Sequence, residues 1–264
     1  MKKTLIYTTL FIGLGLILGL IAVQPSLAQE SEMQVANSLY ENGRFAESAQ
    51  AYEQLVAQGA HDSAVYYNLG NAYFRQGDVG QAIFNYQRAA QLAPRDADIQ
   101  ANLAMVRAQA TDQLPTASSS PLENFASTTR QYLTLNEMAL LALGAWFLFG
   151  LVWLVYRQMK NGRSKEGLQY ILIISGLFMV IATFSLGSRI YVENNRQQAV
   201  VIADVIDVSA GPSADTITEF DLHSGAEIEL LEQRGDWVRL TLPGGQVQGW
   251  VPAEAVAIYS VDSF

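Results

Sequence analysis

The chain contains no cysteine in 264 residues. Disulfides, thiolate metal sites, a thiol nucleophile and a lipid-bearing cysteine anchor are therefore excluded. Histidine is nearly as scarce. His61 and His223 are the two in the chain, they lie far apart in sequence, and no group of His, Asp and Glu has metal-ligand spacing. A Gly-x-Ser-x-Gly elbow, a phosphate loop and a dinucleotide fingerprint are all missing. The expectation is a protein that is not an enzyme and carries no metal and no cofactor. Charge is sparse, at 16% of residues against 50% hydrophobic ones, a balance that leans towards membrane proteins. It is also uneven: residues 29–113 hold five basic and ten acidic side chains and residues 191–264 three and twelve, whereas residues 114–190 hold six basic and three acidic. Acidic flanks repel phosphate backbones, so nucleic acid is not an expected partner.

What is present begins with two apolar runs, residues 138–156 and 168–187. Residues 138–156 and 168–186 each give 19 positions without Asp, Glu, Lys, Arg or His, or about 28 Å of helix, the thickness of a bilayer core. Between them, residues 157–167 carry Arg157, Lys160, Arg163 and Lys165 against Glu166. Short loops rich in lysine and arginine stay on the cytoplasmic side, so the pair reads as a transmembrane hairpin with everything else outside. Two buried helices of a soluble protein are the alternative. Ser175, Thr183 and Ser185 can satisfy their hydroxyls on their own helix, which argues against a transport path. Thr183 and Gly187 have the spacing of a small-residue helix contact. The N-terminus, with Lys2, Lys3, a long apolar stretch and small residues at Ser26 and Ala28, reads as a signal peptide over 1–28; an uncleaved anchor is the other outcome.

Residues 29–110 carry helical periodicity broken at Asn42-Gly43, Gly59-Ala60, Gln76-Gly77-Asp78 and Pro94. Residues 63–96 form a 34-residue unit, and residues 29–62 a second copy in which Gly43 matches Gly77 and Tyr52 matches Tyr86. With Tyr66, Leu69, Gly70, Tyr73, Ala82, Ala89 and Pro94 in place, this resembles the tetratricopeptide repeat (TPR) family. Gly70 and Ala82 would let two helices approach closely. Ile99, Leu103 and Val106 mark one further helix that caps the stack, and Asp96 and Asp98 read as its N-terminal carboxylates. The resemblance implies a peptide-binding face of Met33, Asn37, Tyr40, Tyr67, Asn71, Phe74, Arg75, Ala101 and Met105; packing is the competing role for Tyr67 and Phe74. Without lysine in 29–113, the family's clamp for a terminal carboxylate is disfavoured.

Residues 111–137, with the run Ser118-Ser119-Ser120-Pro121, read as a flexible linker long enough to let the repeats swing clear of the membrane, and Asn136 and Glu137 as the start of the first spanning helix. Five short β-type stretches follow, at 199–208, 216–222, 226–232, 237–242 and 247–251, which suggests a small barrel within residues 198–260. Gly211-Pro212-Ser213, Leu222-His223-Ser224-Gly225, Gly235-Asp236-Trp237-Val238 and Gly249-Trp250-Val251-Pro252 follow the order of bacterial SH3 domains, which this part resembles, although Ser209 stands where that family usually has arginine. The resemblance makes Trp237 and Trp250 candidates for the floor of a ligand groove, with core and rim packing as the alternative.

In order, signal, all-α TPR repeats, two transmembrane helices and an all-β SH3-like barrel resemble the TPR-containing membrane proteins of bacterial aerotolerance operons, the BatE type. That resemblance implies a scaffold in the bacterial cytoplasmic (inner) membrane with both domains extracytoplasmic, working with membrane-anchored von Willebrand A domain proteins and a MoxR-like ATPase. The alternative is a receptor for the cell wall, with peptidoglycan bound by the SH3-like domain.

Overall fold

The computed structural model describes residues 27–112, 121–159, 162–195, 197–213, 215–243, 245 and 247–259. The expected signal lies outside the described residues except for Leu27 and Ala28, which open the first helix. Five helices make the repeat unit: α1 (Leu27–Glu41), α2 (Phe45–Ala57), α3 (Ser63–Gln76), α4 (Val79–Leu92) and α5 (Ala97–Arg107). Their starts are set locally. Asp62 accepts from Ala64 N, Asp78 from Gln81 N, and Asp96 from Asp98 N and Ile99 N, each satisfying helix N–H groups that have no partner within the helix. Asp98 lies in the first turn of α5, where the helix dipole favours a carboxylate. Gly70 lies against Tyr86, and a β-carbon there would meet that ring at 2.8 Å. Ile99, Leu103 and Val106 are all buried on one side of α5.

Among the described residues two helices are long and apolar enough to cross a membrane: α7 (Leu135–Gln158) and α8 (Arg163–Asn195). Met138, Ala142, Ala145 and Val152 of α7 are buried, whereas Leu140, Leu143, Leu148, Ile171, Ile174, Leu177 and Ile181 are exposed. Side chains exposed in this way form an apolar face of the kind that marks contact with a membrane or with another protein. The hydroxyls of Ser175 and Thr183 donate to Leu172 O and Met179 O on their own helix. Thr183 also accepts from Trp146 Nε1 at 3.0 Å, so it serves a cross-helix bond, while Gly187 lies in open space. At the loop end Arg157 lies over Trp153 and Lys165 over Tyr156. Helix α7 starts at Leu135, one residue before Asn136, because Thr134 and Glu137 form a reciprocal capping box.

The stretch read as linker contains a helix, α6 (Pro121–Tyr132). Its many hydroxyls disguise it, but Ser127 and Thr128 donate to Asn124 O and Thr129 to Ala126 O. The stripe Leu122, Phe125, Ala126 buries Ala126 and sets Phe125 6.1 Å from Phe184 of α8.

The terminal part is one antiparallel sheet of seven strands: β1 (Gln197–Val201), β2 (Val205–Ser209), β3 (Thr218–His223), β4 (Glu227–Arg234), β5 (Trp237–Thr241), β6 (Gln248–Pro252) and β7 (Val256–Ile258). They run in the order β3-β2-β6-β5-β4-β1-β7. The expected barrel is therefore corrected to an open sheet, because β3 and β7 are its edges and do not pair. The stretch 199–208 is two strands, not one. β1 pairs with β4 and β7, β2 with β3 and β6, and the chain changes partners at Ala203-Asp204 without a glycine or proline to announce it.

This sheet docks on the repeat unit. Val200 and Tyr259 join Ile83, Leu103, Val106 and Ala110 in one buried cluster, with Tyr259 stacked on Phe84 at 5.2 Å. Gly80 N donates to Ser224 Oγ at 3.0 Å, and His223 N to Asp112 Oδ2 at 2.6 Å. Arg107 grips Glu227 through Nε and Nη2 at 2.6 and 2.8 Å, and Gln87 donates to the same carboxylate. On the other side, Arg95 donates to Tyr132 O and to both oxygens of Glu137, which fastens the repeats to the head of α7. The swinging arrangement is thus replaced by a docked one, for reasons that need contacts more than 100 residues apart.

Two outcomes test the docking. Alanine at Gly80 would bring a methyl within 2.4 Å of Val201 O and 2.7 Å of Ser224 Oγ. Gly80→Ala should leave the helical content of the repeats intact, alanine being the better helix former by about 1 kcal/mol, while amide exchange rises at residues 198–202 and 224–228. Unchanged exchange there would refute the tight contact. Asp78 is pushed above the ordinary carboxylate value of 3.8, first by burial and also by Asp204 nearby. A raised folded value means its contribution is favourable at acid pH and is lost as pH rises through that value. Asp78→Asn keeps a good helix cap, so in thermal melts it should be more stable than the parent at pH 7, with the difference shrinking as pH falls towards the ordinary value; a constant difference would contradict this.

Candidate functional site

The first helices of the successive units, α1, α3 and α5, carry a ladder of amides. Tyr52 donates its hydroxyl to Asn37 Oδ1, and Asn68 Nδ2 reaches the same oxygen at 3.3 Å. One period of 34 residues later, Tyr86 donates to Asn71 Oδ1 at 2.6 Å, and Asn102 Nδ2 reaches that oxygen at 3.3 Å. Asn102 also donates to Tyr67 OH at 2.9 Å. Both tyrosines are buried, and burial pushes the Tyr52 phenol up to about 12 and raises Tyr86 as well, so both stay neutral donors. Each unit therefore fixes the oxygen of one asparagine twice over. The Asn37 and Asn71 amide nitrogens donate to no described residue. Half-buried and equivalent by the repeat, they are two oriented donors able to meet backbone carbonyls of an extended chain.

The other expected residues divide into two groups. Tyr40 meets Phe45 edge-on at 5.2 Å, and the Arg75 guanidinium lies 4.5 Å above the same ring, leaving Arg75 exposed. Tyr67 is tilted against Tyr86 at 5.8 Å, and Phe74 packs against the cluster between α4 and α5. Packing is thus part of what Tyr67 and Phe74 do. Ala101 and Met105 of α5 are exposed. Sequence reasoning missed Asn68 and Asn102, which complete the ladder, and Phe45, on which Tyr40 and Arg75 converge. The signal was available: Asn68 and Asn102 are separated by the same 34 residues as Asn37 and Asn71.

In the sheet, Val238 and Val251 pair across β5 and β6 and enter the core, which puts Arg239 opposite Trp250 on the other face. Trp237 lies two residues from Arg239 and shares that face. Neither tryptophan belongs to the core cluster. Trp250 is nonetheless only 6% exposed, with the Arg234 guanidinium 5.1 Å above its ring. Glu232 accepts from Arg234 and Arg239, and Arg239 donates to Gln248 at 2.8 Å. The result is a cation-covered aromatic patch, with Trp237 half-buried beside it.

Among the described residues no three His, Asp or Glu side chains come together as a metal site. His61 instead lies 3.1 Å from Tyr66 OH and His223 against Asp112. No curated protein matches the chain. A family model of the tetratricopeptide repeat matches residues 35–110, from within α1 to just beyond α5. The chain therefore contains TPR repeats, a non-catalytic fold that generally mediates protein–protein interaction.

Proposed function

We propose that the protein is a membrane-anchored adaptor whose TPR face holds an extended segment of a partner protein. The observation that carries this reading is the pair of unpartnered amide donors, Asn37 and Asn71, one repeat apart on helices that the sheet does not cover. The sheet's contacts fall on α4 and the end of α5. Arg75 and Met105 then flank the ladder with a cation and a flexible apolar side chain. The basic residues between the two apolar helices support a multi-pass arrangement in a bacterial cytoplasmic membrane, with repeats and sheet on the outer side. Bat-type partners, membrane-anchored von Willebrand A domain proteins among them, are the class that the sequence resemblance suggests.

A second reading assigns the sheet to peptidoglycan. It is favoured by Trp237 and Trp250 lying outside the core cluster on a face lined with Arg234 and Arg239.

Photo-crosslinking residues placed at Arg75 or Met105 of the full chain in native membranes should trap a protein partner, whereas the same residue at exposed Gln54 on α2 should not. Crosslinking confined to Gln54 would reject the TPR face. Retention of the full chain on purified wall material, abolished by Trp237→Ala, would favour the second reading instead.

A further inference from the structure

Where the two apolar helices emerge opposite the basic loop, three helices bury a charge cluster that does not balance among the described side chains. Arg189 of α8 is 3% exposed and donates to Glu193 Oε1 at 2.9 Å, to Leu133 O and to Met138 Sδ at 3.4 Å. Arg130 of α6 reaches the same Glu193 oxygen at 3.3 Å. One carboxylate thus serves two guanidiniums, and guanidinium stays protonated at any physiological pH, so the cluster keeps an excess positive charge. A buried excess charge is costly unless a counter-charge is supplied.

Arg130 is the side on which that charge is unfinished. Its Nε is buried with no acceptor among the described residues, which adds to the uncompensated charge, while the side chain as a whole remains 28% exposed and leaves the outer part of the guanidinium open to a ligand. Burial, with Arg189 beside it, pushes its guanidinium below the ordinary arginine value although Glu193 opposes this. The surroundings set the depth. Phe125 packs on Phe184 at the end of the apolar run, and Tyr132 and Tyr191 are exposed, at 62% and 60%. Exposed aromatic side chains at the end of an apolar helix pair belong at the level of lipid headgroups.

We propose that Arg130, backed by Arg189 and Glu193, binds the phosphate of an anionic phospholipid headgroup in the outer leaflet. Guanidinium is the side chain best suited to this, offering paired N–H donors to two phosphate oxygens. The phosphate supplies the missing counter-charge and fixes α6 at the membrane surface through Arg130, two residues before Tyr132, whose carbonyl Arg95 of the repeats holds. This inference rests on the membrane-spanning reading of α7 and α8.

The test uses the full chain purified from bilayers of phosphatidylcholine with or without phosphatidylglycerol, with retained lipid counted by native mass spectrometry. Phosphatidylglycerol should be retained by the parent chain, about tenfold less by Arg130→Gln, as expected for one charge-assisted contact, partly by Arg130→Lys, and fully by Arg157→Gln at the opposite end. Equal retention by parent and Arg130→Gln, or loss in Arg157→Gln alone, would overturn the site. Release of the lipid by millimolar inorganic phosphate, with phosphate itself bound, would overturn the lipid as the ligand. Alkaline carbonate extraction separates the underlying reading: a chain extracted from membranes overturns both, and a chain that resists extraction yet retains no phosphatidylglycerol overturns the lipid site alone.

Discussion

The close approach of two backbones, at Gly80 in the first turn of α4 and Gly225 in the turn before β4, is the constraint on which the arrangement of the domains depends. A β-carbon at Gly80 would strike Val201 O, and one at Gly225 would meet Val79 Cγ1 at 2.9 Å and Ile83 Cδ1 at 3.1 Å. Gly225 also has φ of +93°, which a side chain would strain. Because neither position has a side chain, Ser224 can cap Gly80 N–H from the sheet, and Tyr259 can reach Phe84. The sheet follows α8 almost directly, since α8 ends at Asn195 and β1 begins at Gln197. Docking it on α4 therefore ties the repeats to the two long apolar helices, and Arg95 on Glu137 ties them a second time from the other side.

This docking also answers a problem inherent in short repeat stacks. A helical repeat buries its apolar face against its neighbour, so the last unit of a stack needs a cover. Asn102 of α5 stands one period after Asn68 and makes the equivalent amide contact, which makes α5 the counterpart of the first helix of a further unit. Leu103, Val106 and Ala110 are nevertheless buried, because Val200 and Tyr259 of the sheet cover them. The sheet thus completes the stack from a distant part of the chain. The amide ladder on α1, α3 and α5 is left uncovered, and this is what makes a binding face and a closed core compatible in a unit of five helices.

The parts of this that the sequence disclosed are those with local causes. The 34-residue period, the carboxylates of Asp96 and Asp98 at the start of α5, the tight Gly70 contact and the two apolar helices each follow from neighbours a few residues away or from a repeated pattern. Helix α6 was hidden because serine and threonine side chains that satisfy their own helix carbonyls look like linker composition. The split of 199–208 into two strands was hidden because Ala203-Asp204 is no turn signal, and the change of partners there depends on β7, a strand of three residues. The candidate residues were legible only as types. Asn37 and Asn71 could be placed on one face, but their fixed oxygens and free nitrogens depend on Tyr52, Asn68, Tyr86 and Asn102. Gly80 reads as an ordinary helix residue and Gly225 as an ordinary turn, and nothing in either neighbourhood says that α4 and the turn before β4 press together there.

Charge raises the last question about the docked state, since both partners are acidic. Residues 29–113 and 191–264 repel as wholes, and Asp78 and Asp204 repel at the contact itself. Against that stands the Arg107–Glu227 pair, but its side chains are 41% and 36% exposed, and exposed pairs contribute about 0–1 kcal/mol. Tyr259 is 9% exposed and stacked on Phe84. The Tyr259 hydroxyl is buried without a partner among the described residues, which offsets much of what its ring contributes. The larger share falls to Val200, Ile83, Leu103 and Val106 of the same cluster, apolar side chains whose full burial contributes about 1.5–3 kcal/mol each. Apolar packing therefore carries the docking and electrostatics modulates it. Salt should screen the general repulsion across about 10 Å at 0.1 M and weaken the exposed pair, two effects of opposite sign. A docked state held by apolar contact and close backbone fit should accordingly persist at high ionic strength, whereas one held by Arg107 and Glu227 would open.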